Sequence, residues 1–270
     1  MNYEQGGSGT EPSEGFNLRV SVGILVRVIF KNPENEKIML ALERTSTYIK
    51  SEGKSRVVVR TKPFGGGARI LNPNELMNLI GDFHYDSGRS QEESDFRILV
   101  NPGNWEKILV VCREHLSGKR VGVIDFSPVR ELTEEFQDSL HIQLRSQDYS
   151  LTPRGMRIED ELTPTENVNA PGFPTKRIYI LYDAWLKSSG LMKMIMANSS
   201  KYSDANLEEM ACEDAKKGGK GRANAMLSVS LNQLLDFYRS VQHDGKESPM
   251  LFMGHQLEWN VRALLELSDE

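Results

Sequence analysis

Between positions 130 and 135 the chain reads Arg130-Glu131-Leu132-Thr133-Glu134-Glu135. Ser127-Pro128 just upstream is a helix-start signal, because serine caps a first turn and proline there wastes no donor. On that helix Glu131 lies four residues from Glu135 and three from Glu134, so all three carboxylates are expected on one face. Crowded like charges repel. A divalent cation relieves the repulsion, since hard oxygen ligands and dense negative charge suit Mg²⁺ or Mn²⁺. Arg130 is placed to orient a carboxylate through its planar fork. The same residues also read as a solvated acidic face, with Leu132, Phe136 and Leu140 turned to the core. Spacing alone leaves both readings open.

Far upstream, Lys62-Pro63-Phe64-Gly65-Gly66-Gly67-Ala68 follows a strand-like Arg56–Thr61. Three glycines permit positive φ and close approach of the backbone to a ligand, or simply a tight turn. In this order the two runs resemble the two halves of the Nudix hydrolase signature, a Gly-rich turn and then Arg-Glu-apolar-x-Glu-Glu on a helix. The strand ending Glu43-Arg44 resembles the family's strand that leads to that turn.

The resemblance implies an α/β/α sandwich with a mixed sheet. It also implies a metal-dependent hydrolase, using Mg²⁺ or Mn²⁺, that cleaves the diphosphate of a nucleoside diphosphate linked to another group. On that basis Glu131, Glu134 and Glu135 are expected metal ligands, joined by the Gly67 carbonyl. Glu134, Glu135 and Arg130 form the expected catalytic set, and Gly65, Gly66 and Arg69 are expected against substrate. A further acid from the late helix is expected among Glu208, Glu209 and Glu213. Adenine would stack on Tyr179, Tyr182 or Trp185.

The chain departs from the family in three places. Gly67 precedes Arg130 by 63 positions, so an insertion at about 69–120 splits the signature. The family's upstream glutamate position holds Gly122, and the residues that close its motif are Gln137 and Asp138. These losses favour a second reading, a non-enzymatic nucleotide-sensing or protein-interaction module on the same fold. The strand-like Asp95-Phe96-Arg97 within the split signature also resembles the Nudix-like domains of bacterial nucleotide-second-messenger immunity systems, which carries antiviral defence with it as an expectation.

A net charge of −5 and a pI near 5.7 give no global pull towards nucleic acid. The partner expected is a nucleotide-sized small molecule, and a homodimer is left open. The two cysteines, Cys112 and Cys212, read as reduced thiols of a cytoplasmic protein. No apolar run reaches the ~18 residues that span a membrane. Residues 1–15 read as a flexible tail, 16–245 as one domain with its insertion, and 246–270 as a helical segment.

The elements that must position the site read as follows. Apolar alternation predicts a strand over Phe16–Phe30 and a returning strand over Lys37–Glu43, with Ser51–Ser55 a loop. Within the insertion a capped helix is expected at 74–80, a polar loop from Phe83 to Ser94, a strand at 95–100 and a helix at 104–116. His84 and His115 there have no ligand-spaced partner and read as surface or packing residues. Further on, His141–Leu144 is expected as a strand, Ser150–Pro174 as a long loop with a solvated Glu159-Asp160-Glu161, and Lys176–Leu186 as a strong strand. Ser203 to Lys217 reads as a helix followed by a solvated Lys/Gly loop. Ala225–Val229 is expected as a strand, Ser230–Val241 as a helix, Asp244-Gly245 as a turn, and Leu251–Leu267 as one or more helices, with Trp259 beside their apolar stripe or on a contact surface.

Overall fold

The computed structural model describes residues 15–51, 54–161, 172–241, 250–258 and 260–265. The alternating N-terminal run forms β1 (Leu18–Lys31), buried over most of its length on both faces. Asn32 turns the chain, its side chain accepting the Glu34 N–H at 2.9 Å. β2 (Ile38–Ser51) then returns antiparallel with Val28 opposite Ala41. β2 does not stop at Glu43-Arg44. It runs on to pair with β3 (Lys54–Lys62), which takes in part of the segment expected as a loop. The glycine run is likewise no turn but a strand, β4 (Phe64–Gly67), paired with β1.

β5 (Arg69–Ile70), α1 (Pro73–Ile80), β6 (Phe83–Tyr85), α2 (Gly88–Glu92), β7 (Arg97–Val100), α3 (Trp105–Leu116) and β8 (Ile124–Asp125) follow. The polar run from Phe83 to Ser94 is ordered by local caps. The Ser87 side chain accepts the Ser90 N–H, and Asp86 accepts both serine hydroxyls. α4 (Pro128–Leu140) starts on proline and ends at His141 in the left-handed region, φ 57°. That conformation ends the helix, and the expected strand at His141–Leu144 does not form.

Of the loop expected at 150–174, residues 150–161 form β9 (Tyr149–Glu161), on which Glu159 is buried, and residues 162–171 lie outside the described residues. After β10 (Thr175–Leu186) comes α5 (Ser189–Lys201), capped by Ser188 and without a sequence expectation. α6 (Asp204–Lys216), β11 (Arg222–Ser230) and α7 (Leu231–Val241) match expectation. Where only helix was expected at the C-terminus, β12 (Met250–Phe252) and β13 (His255–Leu257) form a hairpin before the short α8 (Val261–Leu265). Met253 and Gly254, at φ 50° and 87°, supply the two left-handed residues that a tight hairpin turn requires. Trp259 and Asp244-Gly245 lie outside the described residues, as does most of the expected N-terminal tail.

The chain divides into two units. The first holds the described residues of 1–23, 67–126 and 158–178, which includes the expected insertion. In it the start of β1 pairs with β7, Leu18 opposite Val100, and β7 pairs with β6. Leu76, Ile80, Ile98, Ile108 and Cys112 are buried there.

The second unit holds the described residues of 24–66, 127–157 and 179–270. β2 is its centre, flanked by β11 with Ala225 opposite Arg44 and by β3 with Thr61 opposite Arg44; β13 joins β3 in parallel. Alternate residues of a strand point to opposite faces. Ala41 and Met226 therefore meet Leu132 and Phe136 of α4 and Ile195 of α5 on one face. Leu40, Leu42, Leu227 and Val229 meet α7, α8 and the β12–β13 hairpin on the other. α6 packs on this second face through Leu207 and Ala211 against Ala223 and Ala225. The result is a mixed sheet with helices on both sides, an α/β sandwich.

Phe136 is fully buried and stacks on Phe64 at 5.3 Å between ring centroids. Phe136→Ala should cost about 3–5 kcal/mol, read as a lowered urea midpoint, whereas Val129→Ala on the solvent side of α4 should change it by less than about 0.5 kcal/mol. Equal losses would remove α4 from the core.

Candidate functional site

α4 carries its charges in two directions. Glu131, Leu132, Glu135 and Phe136 are buried, while Glu134 is 56% exposed, so the three glutamates do not share one face as expected. The buried pair flanks the apolar stripe and is carried inward by it. Glu135 Oε2 accepts the backbone N–H of Gly65 at 2.9 Å, across 70 positions of sequence. Gly66 lies under Glu131, and a Cβ there would overlap the Glu131 carboxylate. Gly65 has φ 148°, and a Cβ on it would strike the Ile24 carbonyl. Gly65 is therefore required by the approach of β4 to β1, and Gly66 leaves the room in which the Glu131 carboxylate lies. The two halves of the split signature meet in space.

Two further residues complete the cluster, and the sequence reading passed over both. Glu43 on β2 and Lys62 on β3 are direct cross-strand partners, so their side chains share a face. Lys62 Nζ is 2.9 Å from Glu43 Oε2 and 3.2 Å from Glu135 Oε1. The Thr45 hydroxyl donates to Glu43 Oε1 at 2.9 Å. The signal that would have found this pair is the hairpin register, which sets Glu43 opposite Lys62 once β2 and β3 are recognised as long strands.

The electrostatics follow from burial. Desolvation, and then the neighbouring Glu43 carboxylate, push the Glu135 pKa well above the usual glutamate range; Lys62 and the Gly65 N–H oppose this only in part. Burial alone would lower the Lys62 pKa, but Glu135 and Glu43 carry it above its ordinary value. Arg130 pairs with Glu131 through Nη1 and reaches Glu134 at 3.9 Å, so it does hold the carboxylates of its own helix.

Of the other expected site residues, Gly67 ends β4 next to Gly66 and is grouped with the first unit, where a Cβ on it would approach Asp95. Arg69, also in that unit, pairs in β5 opposite Asp125. Glu208, Glu209 and Glu213 are exposed on α6, which packs on the opposite face of the sheet from Glu43 and Lys62. Glu209 and Glu213 line an open depression of about 420 Å³ with Lys201, Tyr202, Asn206 and Met210. The Lys/Gly loop after α6 turns its amides inward, since Asp214 accepts the Gly221 N–H at 2.8 Å.

His115 is a packing residue, its ring nitrogens meeting the Arg120 carbonyl at 2.9 Å and the Ile124 N–H at 3.0 Å. Tyr179 and Tyr182 pack against the two cores, and Trp185 is 36% exposed. Both cysteines are free thiols. No described helix is long and apolar enough to cross a membrane.

Among the described residues, no three His, Cys, Asp or Glu side chains are grouped closely enough to hold a metal ion. The donors nevertheless fit a hard divalent cation in kind, being carboxylate oxygens only. Two of them already converge on one cation, the Lys62 ammonium, which stands in at their junction. Glu131 lies one helical turn from Glu135, engaged by Arg130. No protein-family model matches the sequence, and no curated protein matches it.

The raised Glu135 pKa has a sign. The folded chain holds that proton more tightly than the unfolded chain, so folding takes up a proton between the ordinary glutamate value of about 4.3 and the raised one. Relative to Glu135→Gln, the wild type should therefore lose stability as pH rises through that window. Urea midpoints of both proteins at stepped pH measure the difference. A difference that is flat, or that grows in the wild type's favour, would show that Glu135 is not held protonated by its surroundings.

Proposed function

We infer that the second unit carries a metal-dependent Nudix-type hydrolase site for a nucleoside diphosphate linked to another group. The observation that supports this reading is the meeting of the two half-signatures, with the Gly65 N–H on Glu135 at 2.9 Å across a separation of 70 residues. An intervening segment of that length would not converge on a glycine strand and an acidic helix turn through connectivity alone.

In this reading Glu43 and Glu135 hold the cation, and Glu131 joins them as the neighbouring acid. Mg²⁺ or Mn²⁺ bound there would neutralise the diphosphate and lower the pKa of an attacking water. The chain's own residues do the rest. Arg130 sets the direction of the Glu131 carboxylate through their ion pair. Gly65 and Gly66 keep the backbone of β4 open beside the acids, where a Cβ at either would collide. Glu134, exposed at the same helix turn, faces incoming substrate and is available to take a proton from water.

A second reading, a nucleotide-binding module without hydrolysis, is favoured by one observation. Lys62 already bridges the acid pair, so on that reading the cluster carries a cation of its own and needs no metal ion.

Phosphate release from ADP-ribose, dinucleoside polyphosphates, NAD⁺ and nucleoside triphosphates, each with Mg²⁺ or Mn²⁺, separates the two. We expect cleavage of at least one diphosphate substrate by the wild type. In Glu131→Gln/Glu135→Gln it should fall at least about 100-fold, the upper end of what losing even a residue that orients a ligand costs. Thermal stabilisation by a nucleotide without cleavage would replace hydrolase with binding module.

A further inference from the structure

The acid cluster has two fixed parts and one movable part. Glu43 is held by the Thr45 hydroxyl and Glu135 by the Gly65 N–H, each at 2.9 Å. Their side chains are 5% and 11% exposed, against 31% for Lys62 between them. A lysine head on a four-carbon stem can rotate to solvent once another cation replaces its two ion pairs, and two pinned carboxylates cannot follow it.

Charge balance points the same way. Against two ionised carboxylates one ammonium leaves a unit of negative charge over, whereas a divalent ion leaves none. The ammonium spans the two acids, but it offers three short donors where a divalent ion draws in six or so oxygens, water included. The pair thus meets both ions with the same oxygens and favours the doubly charged one.

We propose that Lys62 is an internal counter-cation that competes with a divalent ion for the Glu43–Glu135 pair, leaving the pair for solvent as the ion enters. Lys62 thereby sets the ion concentration at which the site loads. In the ion's absence it keeps the two buried acids from repelling each other, so the site stays assembled while empty. This rests on the hydrolase reading of the same cluster, and the test below distinguishes failure of the one from failure of the other.

Mn²⁺ binding is measured by calorimetry on wild type, Lys62→Met, Lys62→Arg and Lys62→Met/Glu135→Gln, with no nucleotide present. Lys62→Met keeps the stem and removes the charge. It should bind Mn²⁺ at least about tenfold more tightly, since a unit charge a few ångströms from a cation is worth more than a decade at protein-surface dielectric. Lys62→Arg should gain nothing, and adding Glu135→Gln should abolish the gain. Equal Mn²⁺ affinity in wild type and Lys62→Met overturns the role of Lys62 and leaves the hydrolase reading standing. Absence of Mn²⁺ binding in both overturns the cation site, and with it the hydrolase reading and the role of Lys62.

Because Lys62→Met exposes two buried acids to each other and can fail to fold, a second measurement uses the wild type alone. Acetylation of Lys62 by acetic anhydride is followed by peptide mass spectrometry with and without Mn²⁺. Displacement predicts faster acetylation of Lys62 with Mn²⁺ and an unchanged rate at Lys193. Protection of Lys62, or no change, overturns the proposal.

Discussion

Two carboxylates cannot be buried side by side and both stay ionised unless a cation lies between them. Much of the second unit can be read as the working-out of that constraint. Glu43 comes from β2 and Glu135 from α4, and Lys62 on β3 is the residue that both meet. The attraction is no simple gain in stability, because desolvating three charges opposes it and removing one partner of such a group typically costs about 3–5 kcal/mol. Its effect is on arrangement. A helix that must put Glu135 on Lys62 and on the Gly65 N–H has one position along β4, and Phe136 stacked on Phe64 fixes its height.

The glycines answer a geometric demand. For the Glu131 carboxylate to lie on β4 the strand has to offer no side chain beneath it, and Gly66 meets that requirement. For β4 to run against β1 at Ile24 the neighbouring position must accept φ 148° without a Cβ, and Gly65 meets that. The glycine run that the sequence presents as a turn is therefore a strand stripped of side chains. In such a strand, backbone amides are directed at acids rather than exposed at a corner. The same physical property of glycine serves either case, which is why composition alone did not distinguish them.

What was legible in the sequence had local causes. The apolar alternation of β1, the proline start of α4, the serine cap of α6 and the stripe of α7 are each set by residues within a turn or two, and each forms as expected, whereas Ser127 at the start of α4 makes no side-chain cap bond. What was missed depended on partners far along the chain. Nothing in Glu43 or Lys62 by itself marks a site; only the register of β2 on β3 brings them together, and Glu135 joins from more than seventy residues on. The run through β9 reads as a loop because it is polar and carries prolines, although Glu159 within it is buried. The C-terminal helix failed for a related reason. Its apolar spacing fits helix and hairpin alike, and the left-handed Met253-Gly254 pair decides for the hairpin.

The sheet also decides which acids can act together. Glu43, Lys62 and Met226 occupy directly opposed positions on three neighbouring strands, so they share the face that α4 covers. Arg44, Thr61 and Ala225, each the next position along or back, point to the face that α6 covers, where Arg44 meets Asp204 at 3.0 Å. A strand admits no intermediate direction. Glu208, Glu209 and Glu213 are thus held from the cluster by the thickness of a sheet, however dense the charge on their helix. On the face of Glu43 and Glu135 the further carboxylates at hand are Glu131 and Glu134 of α4, and Arg130 pairs with both of them. Asn224, opposite Thr45 on the same face, adds a buried amide oxygen without a hydrogen-bond partner.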